Sequence, residues 1–274
     1  MKKNHLISFL LVSLALLLVS TACGLLQEPA EPSATIEAVP LEIEEADEPI
    51  EVEEPTPEAE EPPVEIDEAE EPEEEMEEEE AEELASEEEE EAEPAAGGLL
   101  IFEISQDASE VRFELDEDLR GNRITVVGST DQVAGQIALD LSDLSSAQVG
   151  EIQINARTLE TDNNFRNRAI QNEILDTGDY EFISFVPTAV SGLPASATIG
   201  EEISFTIEGD LTIRDVTEAV TFSVVATAVS ETEISGTATA TVLRETYGLN
   251  IPEVPNVANV ENEVDLIISF VANK

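Results

Sequence analysis

Between residues 99 and 274 apolar side chains recur at every second position, segment after segment. "EVRFELD" (110–116) sets Val111, Phe113 and Leu115 against charge, and "GQIALDL" (135–141) puts Ile137, Leu139 and Leu141 on one face. "GEIQINART" (150–158) does the same with Ile152, Ile154 and Ala156, and "ISFTIEGDLTI" (203–213) with Ile203, Phe205, Ile207, Gly209, Leu211 and Ile213. "AVTFSVVATAV" (219–229) presents Val220, Phe222, Val224, Ala226 and Ala228. "EISGTATATVL" (233–243) presents Ile234, Gly236, Ala238, Ala240 and Val242, and "EVDLIISFVA" (263–272) presents Val264, Leu266, Ile268 and Phe270. A period of two interrupted by turns is the pattern of antiparallel strands with one buried face. About eight such strands in one domain predict a sandwich or a closed barrel.

One stretch departs from this period. In 162–180, Phe165, Ala169, Ile170 and Ile174 recur at helical intervals, with Asp162 or Asn163 as N-cap and Gly178 as the stop. A single helix beside a barrel is expected to act as a lid or plug. The inner faces also carry small residues, Gly209, Gly236, Ala226, Ala228, Ala238 and Ala240. Dense interiors need larger side chains, so these positions either leave room for an apolar guest or let another element come close; periodicity does not decide between the two.

The N-terminal third is of another kind. Lys2 and Lys3, an apolar run over 6–19, and Ser20, Thr21 and Ala22 precede Cys23, the single cysteine of the chain. This order is that of a secretory signal too short to serve as an ordinary membrane span. The placement of Cys23 resembles the lipobox of bacterial lipoproteins, which implies a mature N-terminus at Cys23 carrying lipid and a cell-envelope, extracytoplasmic location. With no second cysteine there is no internal disulfide. From residue 28 to 98 lie about 34 of the 64 acidic residues and no lysine or arginine. Such a segment buries too little apolar surface to offset the entropy of ordering and is expected to be a disordered spacer.

The residues that are absent narrow the chemistry. Beyond the signal there is no histidine, the only lysine is Lys274, and the chain has no tryptophan. Nucleophilic triads need an imidazole base, zinc sites normally need His or Cys, and Schiff-base catalysis needs a buried lysine. Carboxylate-only catalysis, as in glycosidases, stays open as a third reading, although aromatic residues amount to only 4%. The acidic balance argues against nucleic acid as a partner, and no metal site or cofactor is expected.

Several stretches in 102–272 resemble the YceI-like family of periplasmic and secreted lipid-binding proteins: "SEVRFELDEDLRG", "INARTLETDNNFRNRAIQNEILDTGDYEFISF", "LRETYGLNIP" and, most specifically, "GDLTIRDVTEAVTFSV". Against the family pattern, Ala108 stands where a histidine precedes the opening serine Ser109. Arg166-Asn167-Arg168-Ala169-Ile170 replaces Arg-Asp-x-His-Leu, Asp215 replaces a glycine, and Tyr247 replaces the late phenylalanine. The resemblance implies an all-β, antiparallel, lipocalin-like eight-stranded barrel with one helix, enclosing an elongated apolar tunnel. Its implied ligand and partner is a long-chain lipid: an isoprenoid quinone, a polyprenyl chain or a relative.

The resulting expectation has three parts: a lipoprotein signal over 1–22, a lipidated N-terminus with a disordered Glu/Pro-rich linker over 23–98, and the barrel over 99–274. Phe113, Phe165, Ile170, Phe205, Ile207, Leu211, Phe222, Val224 and Phe270 are expected to line or close the tunnel. Arg157, Arg166 and Arg244 are candidates for its polar end, or for surface pairs with the surplus carboxylates. The expected function is a membrane-anchored, non-enzymatic carrier. The alternative is a structural envelope lipoprotein whose barrel is filled by its own side chains.

Overall fold

The computed structural model describes residues 27–33, 36–41 and 98–274. The signal segment, Cys23 and the acidic residues 42–97 lie outside the described residues. Among those described, the strand segments group into eight successive runs, each antiparallel to the next. The first run is β1 (Leu100–Ile104) and β2 (Glu110–Leu119); the second is β3 (Asn122–Thr130), β4 (Val133–Ala134) and β5 (Gln136–Asp140). The third is β6 (Asp143–Val149) and β7 (Ile152–Asn155). Then come β8 (Phe182–Ser191), β9 (Glu202–Ile213), β10 (Val216–Ser230), β11 (Glu233–Leu243), a short β12 (Val257–Ala258) set against β2, and β13 (Glu263–Asn273).

Register shows how the ring closes. The second run pairs with the third through Ile137↔Val149 and Val133↔Ile154, and the third meets β8 at Ile152↔Phe185. β13 is shared: one edge pairs with β11 from Glu233↔Asn273 to Leu243↔Glu263, the other with β2 at Leu266↔Phe113 and with β1 at Ile104↔Ala272. Closing the sheet removes the unpaired edges that an open sheet would present.

The first run is interrupted by a 3-10 turn over Gln106–Ala108. At that break the Ser109 hydroxyl accepts from the Val271 amide at 3.1 Å and donates to the Val271 carbonyl at 3.3 Å. One buried side chain thus supplies the partners that the strand would otherwise give, as buried backbone groups require. Tight turns join other runs. Leu119↔Asn122 closes over Arg120 (φ 53°) and Gly121 (φ 80°), the left-handed pair that a two-residue hairpin of this twist needs.

Between β7 and β8 the chain leaves the sheet for helix α1 (Asn164–Ala169) and one π-helical turn, Ile170–Ile174. Asn163 is the cap: its side-chain oxygen accepts from the amides of Phe165 (2.9 Å) and Arg166 (3.3 Å). The stop is earlier than the sequence suggests. Leu175 N–H bonds to Ile170 O, Thr177 N–H to Gln171 O, and Asp176 takes the left-handed conformation (φ 49°). Gly178 lies beyond the turn and is not needed to end it. Gln171, buried, donates to the carbonyls of Arg157 and Leu159 and so fixes the helix to the barrel wall.

The expected linker, 23–98, includes the described residues 27–33 and 36–41, and these lie along the barrel wall. Ile36 is only 4% exposed. The carbonyls of Gln27, Glu31 and Ile36 accept from Asn172, Arg157 and Gln106, at 2.8, 3.1 and 2.9 Å. Ser33 donates its amide and hydroxyl to the two carboxylate oxygens of Glu181, and Leu41 N–H donates to Gln136 Oε1.

Candidate ligand cavity

Inward-facing positions do not fill the barrel. Two apolar cavities lie end to end, one of about 390 Å³ under the helix and one of about 110 Å³ toward the opposite end. Val111, Phe113 and Leu115 of β2, Leu211 and Ile213 of β9, and Leu266 and Ile268 of β13 line the larger one, each set at every second position. From above, Ile170, Ile174 and Leu175 cover it. Its lining residues that are also exposed, Asn163, Phe165 and Pro255, mark the mouth, between α1 and the loop 249–260. A volume of this size lies within the range of small-molecule sites.

The smaller cavity is lined by Ile207, Val224, Phe205 and Phe270, with Thr227 its single polar lining residue. Phe185, Phe222 and Ile268 line both cavities and therefore form the partition between them.

All nine expected site residues line one cavity or the other. Phe113, Phe165, Ile170 and Leu211 face the larger; Phe205, Ile207, Val224 and Phe270 face the smaller; Phe222 faces both. Phe165 is 71% exposed and stands at the mouth rather than within the barrel.

The small residues have a mixed role. A Cβ at Gly209 would fall 2.6 Å from Cζ of Phe185, and one at Gly236 would fall 2.8 Å from Cζ of Phe270. Those two glycines make room for aromatic rings of adjoining strands, not for a guest. Ala226, Ala228 and Ala238 do border the smaller cavity.

The polar groups gather at the mouth. Glu117, 6% exposed on the inner face of β2, accepts from Arg166 at 3.0 Å, and Arg166 also meets Asp162 at 2.5 Å. A buried carboxylate is tolerable only when paired, and this pair is what one end of the cavity offers a polar group. Arg244, on the same rim, donates to the carbonyls of Glu261 and Leu249 and so pins both sides of the mouth loop. Arg157 does not reach either cavity. Its guanidinium faces outward, bound to Glu181 (2.8 Å), to the carbonyls of Thr177 and Gly178, and to Glu31 O.

Sequence reasoning passed over Phe185, Glu117 and the loop 249–260. Phe185 sits in "FISFV", where alternation is visible but is followed by Pro187. Glu117 carries a charge at an inward position of β2, just past the apolar alternation of 110–116, so that alternation gives no signal for it.

Comparison with known proteins agrees with this architecture. The family model of the YceI-like domain matches residues 102–272, and the chain belongs to that family. No curated protein matches it. Among solved structures, a polyisoprenoid binding domain from Saccharophagus degradans, implicated in plant cell wall breakdown, superposes with a TM-score of 0.51 at 13% identity. That likeness covers 63% of this chain and 97% of the other. Burkholderia cenocepacia BcnA gives 0.50 at 18% identity, covering 62% and 99%. At these identities the likeness is one of fold.

Proposed function

We propose that this YceI-like protein is a binding module that holds one long apolar molecule, an isoprenoid quinone, a polyprenyl chain or a similar lipid, reversibly in its barrel. We further propose that it does so outside the cytoplasm, attached to a membrane through lipid on Cys23. The carrying observation is the apolar cavity of about 390 Å³ with a mouth at the helix. The description of the Saccharophagus degradans domain as polyisoprenoid-binding supports the ligand class. Each methylene moved from water into such a cavity contributes about 0.8 kcal/mol, so a few isoprene units give useful affinity without a charge contact. No covalent step is involved, and the protein is not an enzyme in this reading. A barrel filled by its own side chains is the less favoured reading, because the interior is not packed solid.

Native mass spectrometry of protein purified from its own host tests the proposal. A stoichiometric lipid is the expected result, and its absence from folded protein would overturn it. Leu211, 3% exposed on the floor of the larger cavity, supplies the control. Leu211→Arg, and likewise Phe222→Asp, should abolish lipid retention; a folded variant that retains lipid at the native level would move the ligand out of this cavity.

A further inference from the structure

Residues 27–33 and 36–41 form a strap along the barrel wall, and we infer that this strap presents the cavity mouth to the bilayer. The inference rests on the anchoring of Cys23 proposed above. Three observations carry it. First, the strap's earliest described contact is on the cover of the larger cavity: Gln27 O accepts from Asn172, which lies in the π-turn whose neighbours Ile170 and Ile174 close that cavity beside the mouth helix. Cys23 is four residues before Gln27, so its Cα is held within about 14 Å of that contact even when the chain is fully extended.

Second, the strap then runs away from the mouth. It passes Arg157 and Glu181, then Gln106, and ends at Gln136 and Gly150, where Leu41 packs against the glycine. Gln136 lies in β5, beside Ile137 of the smaller cavity. Leu41 is the last described residue before the acidic tract, and Gly98, just before the Leu100↔Leu139 pair, is the first after it. Both residues lie on the half remote from the mouth. The described strap residues therefore reach the barrel before the acidic tract begins, so the tract adds nothing to the chain length between Cys23 and the barrel.

Third, the end of the barrel that this brings to the membrane suits it. Phe165 projects there at 71% exposure, beside half-buried Ile251, Pro252 and Val254 of the mouth loop. Arg120 and Arg168, at the same end, have no ion-pair partner among the described residues and suit lipid phosphates. An apolar molecule would then pass between bilayer and cavity without crossing water, where its exposed surface is costly.

The chain has no tryptophan, so a single introduced one reports position. Chain beginning at Cys23 is coupled through that thiol, its only one, to a maleimide-headgroup phospholipid in phosphatidylcholine vesicles containing brominated acyl chains. Asn164→Trp, at the start of α1, should lose emission to bromine quenching. Glu231→Trp, in the turn between β10 and β11 at the opposite end, should not. Quenching at 164 should survive deletion of 43–93. It should vanish in the double variant Asn172→Ala, Ile36→Asp, with far-UV circular dichroism unchanged, because together these release the strap at its Gln27 and Ile36 contacts.

Equal quenching at both ends would overturn the inference, as would loss of quenching at 164 on deleting 43–93, or its persistence once the strap is detached. Chemical coupling keeps this test independent of native acylation. That separate question is answered by the mass of chain recovered from host membranes: an unmodified Cys23 there would defeat the anchoring proposal alone.

Discussion

The rings of Phe185 on β8 and Phe222 on β10 meet edge to face, with centroids 4.9 Å apart and planes at 71°, and together with Ile268 they divide the barrel interior into its two cavities. The pair is fully buried, at 4% and 3% exposure, and is positioned by Gly209, whose missing side chain leaves space for the Phe185 ring. Phe222→Ala should open the partition and lengthen the acyl or prenyl chain that co-purifies. The cost in stability should be about 3–5 kcal/mol, as for other large-to-small changes at buried aromatics. Mass spectrometry of the extracted lipid, alongside urea unfolding, reads both effects. If the alanine variant does not fold, Phe222→Leu should show the same direction of change in chain length with a smaller loss.

A second glycine controls the larger cavity. Gly128 faces Phe113 across the β2–β3 ladder, and a Cβ there would lie 2.2 Å from Cε1 of that ring. Gly128→Ala should drive the ring into the cavity, with loss of bound lipid and a destabilisation of about 1–3 kcal/mol typical of overpacking. Combining it with Phe113→Leu should restore much of both. That non-additivity is the signature of two groups competing for one space, and strictly additive unfolding energies would refute the account.

Tyr247 is buried at 2% exposure, and its hydroxyl has no hydrogen-bond partner among the described residues. Burial, followed by the charge of Glu218, pushes its pKa up to about 12. An acid whose folded pKa is raised keeps its proton in the native state while the unfolded chain ionises. The native state should therefore lose stability as pH rises from the ordinary tyrosine value near 10 through about 12. Tyr247→Phe should remove that alkaline loss and, at neutral pH, be neutral or stabilising by about 1 kcal/mol, since it deletes an unpaired buried polar group. Chemical denaturation at neutral and alkaline pH compares the two proteins.

The strap should come loose in acid. At Glu181 burial pushes the carboxyl up, but the Ser33 amide and hydroxyl, Asn155 and Arg157 together hold it below the ordinary carboxylate range. For a depressed carboxyl the stabilisation is complete above the unfolded pKa and is lost as pH falls through the lower folded value. Protection of the Ser33 amide from hydrogen exchange, corrected for intrinsic rate, should accordingly be constant at neutral pH and collapse in strong acid. Glu181→Gln should lower protection at neutral pH and abolish its acid dependence. An unchanged profile in that variant would show that Glu181 does not hold the strap.

Much of the barrel was legible because its information is local. Alternation in 203–213, 219–229 and 233–243 gives three consecutive strands and their inner faces, and the Asn163 cap is visible in the sequence three residues before the first turn ends. Two strands were harder to see. In β3 the inner positions include Gly128 and Thr130, and in β8 the run contains Pro187 with a register shift beside it, so both dilute the apolar period. The strap was hidden more thoroughly. The barrel holds it largely through the backbone carbonyls of Gln27, Glu31 and Ile36, and a carbonyl has no signature in composition. Among its described side chains, buried Ile36 and the Ser33 hydroxyl bound to Glu181 are what tie it to the barrel.

By itself the strand alternation determined that residues 99–274 form antiparallel strands closing a sandwich or a barrel, with a helix in 162–180, and which side chains point inward, since strand geometry ties each residue's face to its parity; the choice of barrel came from the family resemblance. The sequence also limited the available chemistry by leaving out histidine, cysteine and tryptophan from that domain. Tertiary structure alone decided how much of the interior stays empty, where Phe185 and Phe222 divide it, and that Gln27 meets the turn covering the larger cavity. Those outcomes depend on contacts between groups far apart along the chain, where the shape of one side chain is completed by a void, a glycine or a carbonyl on another strand, and no local pattern encodes such a pairing.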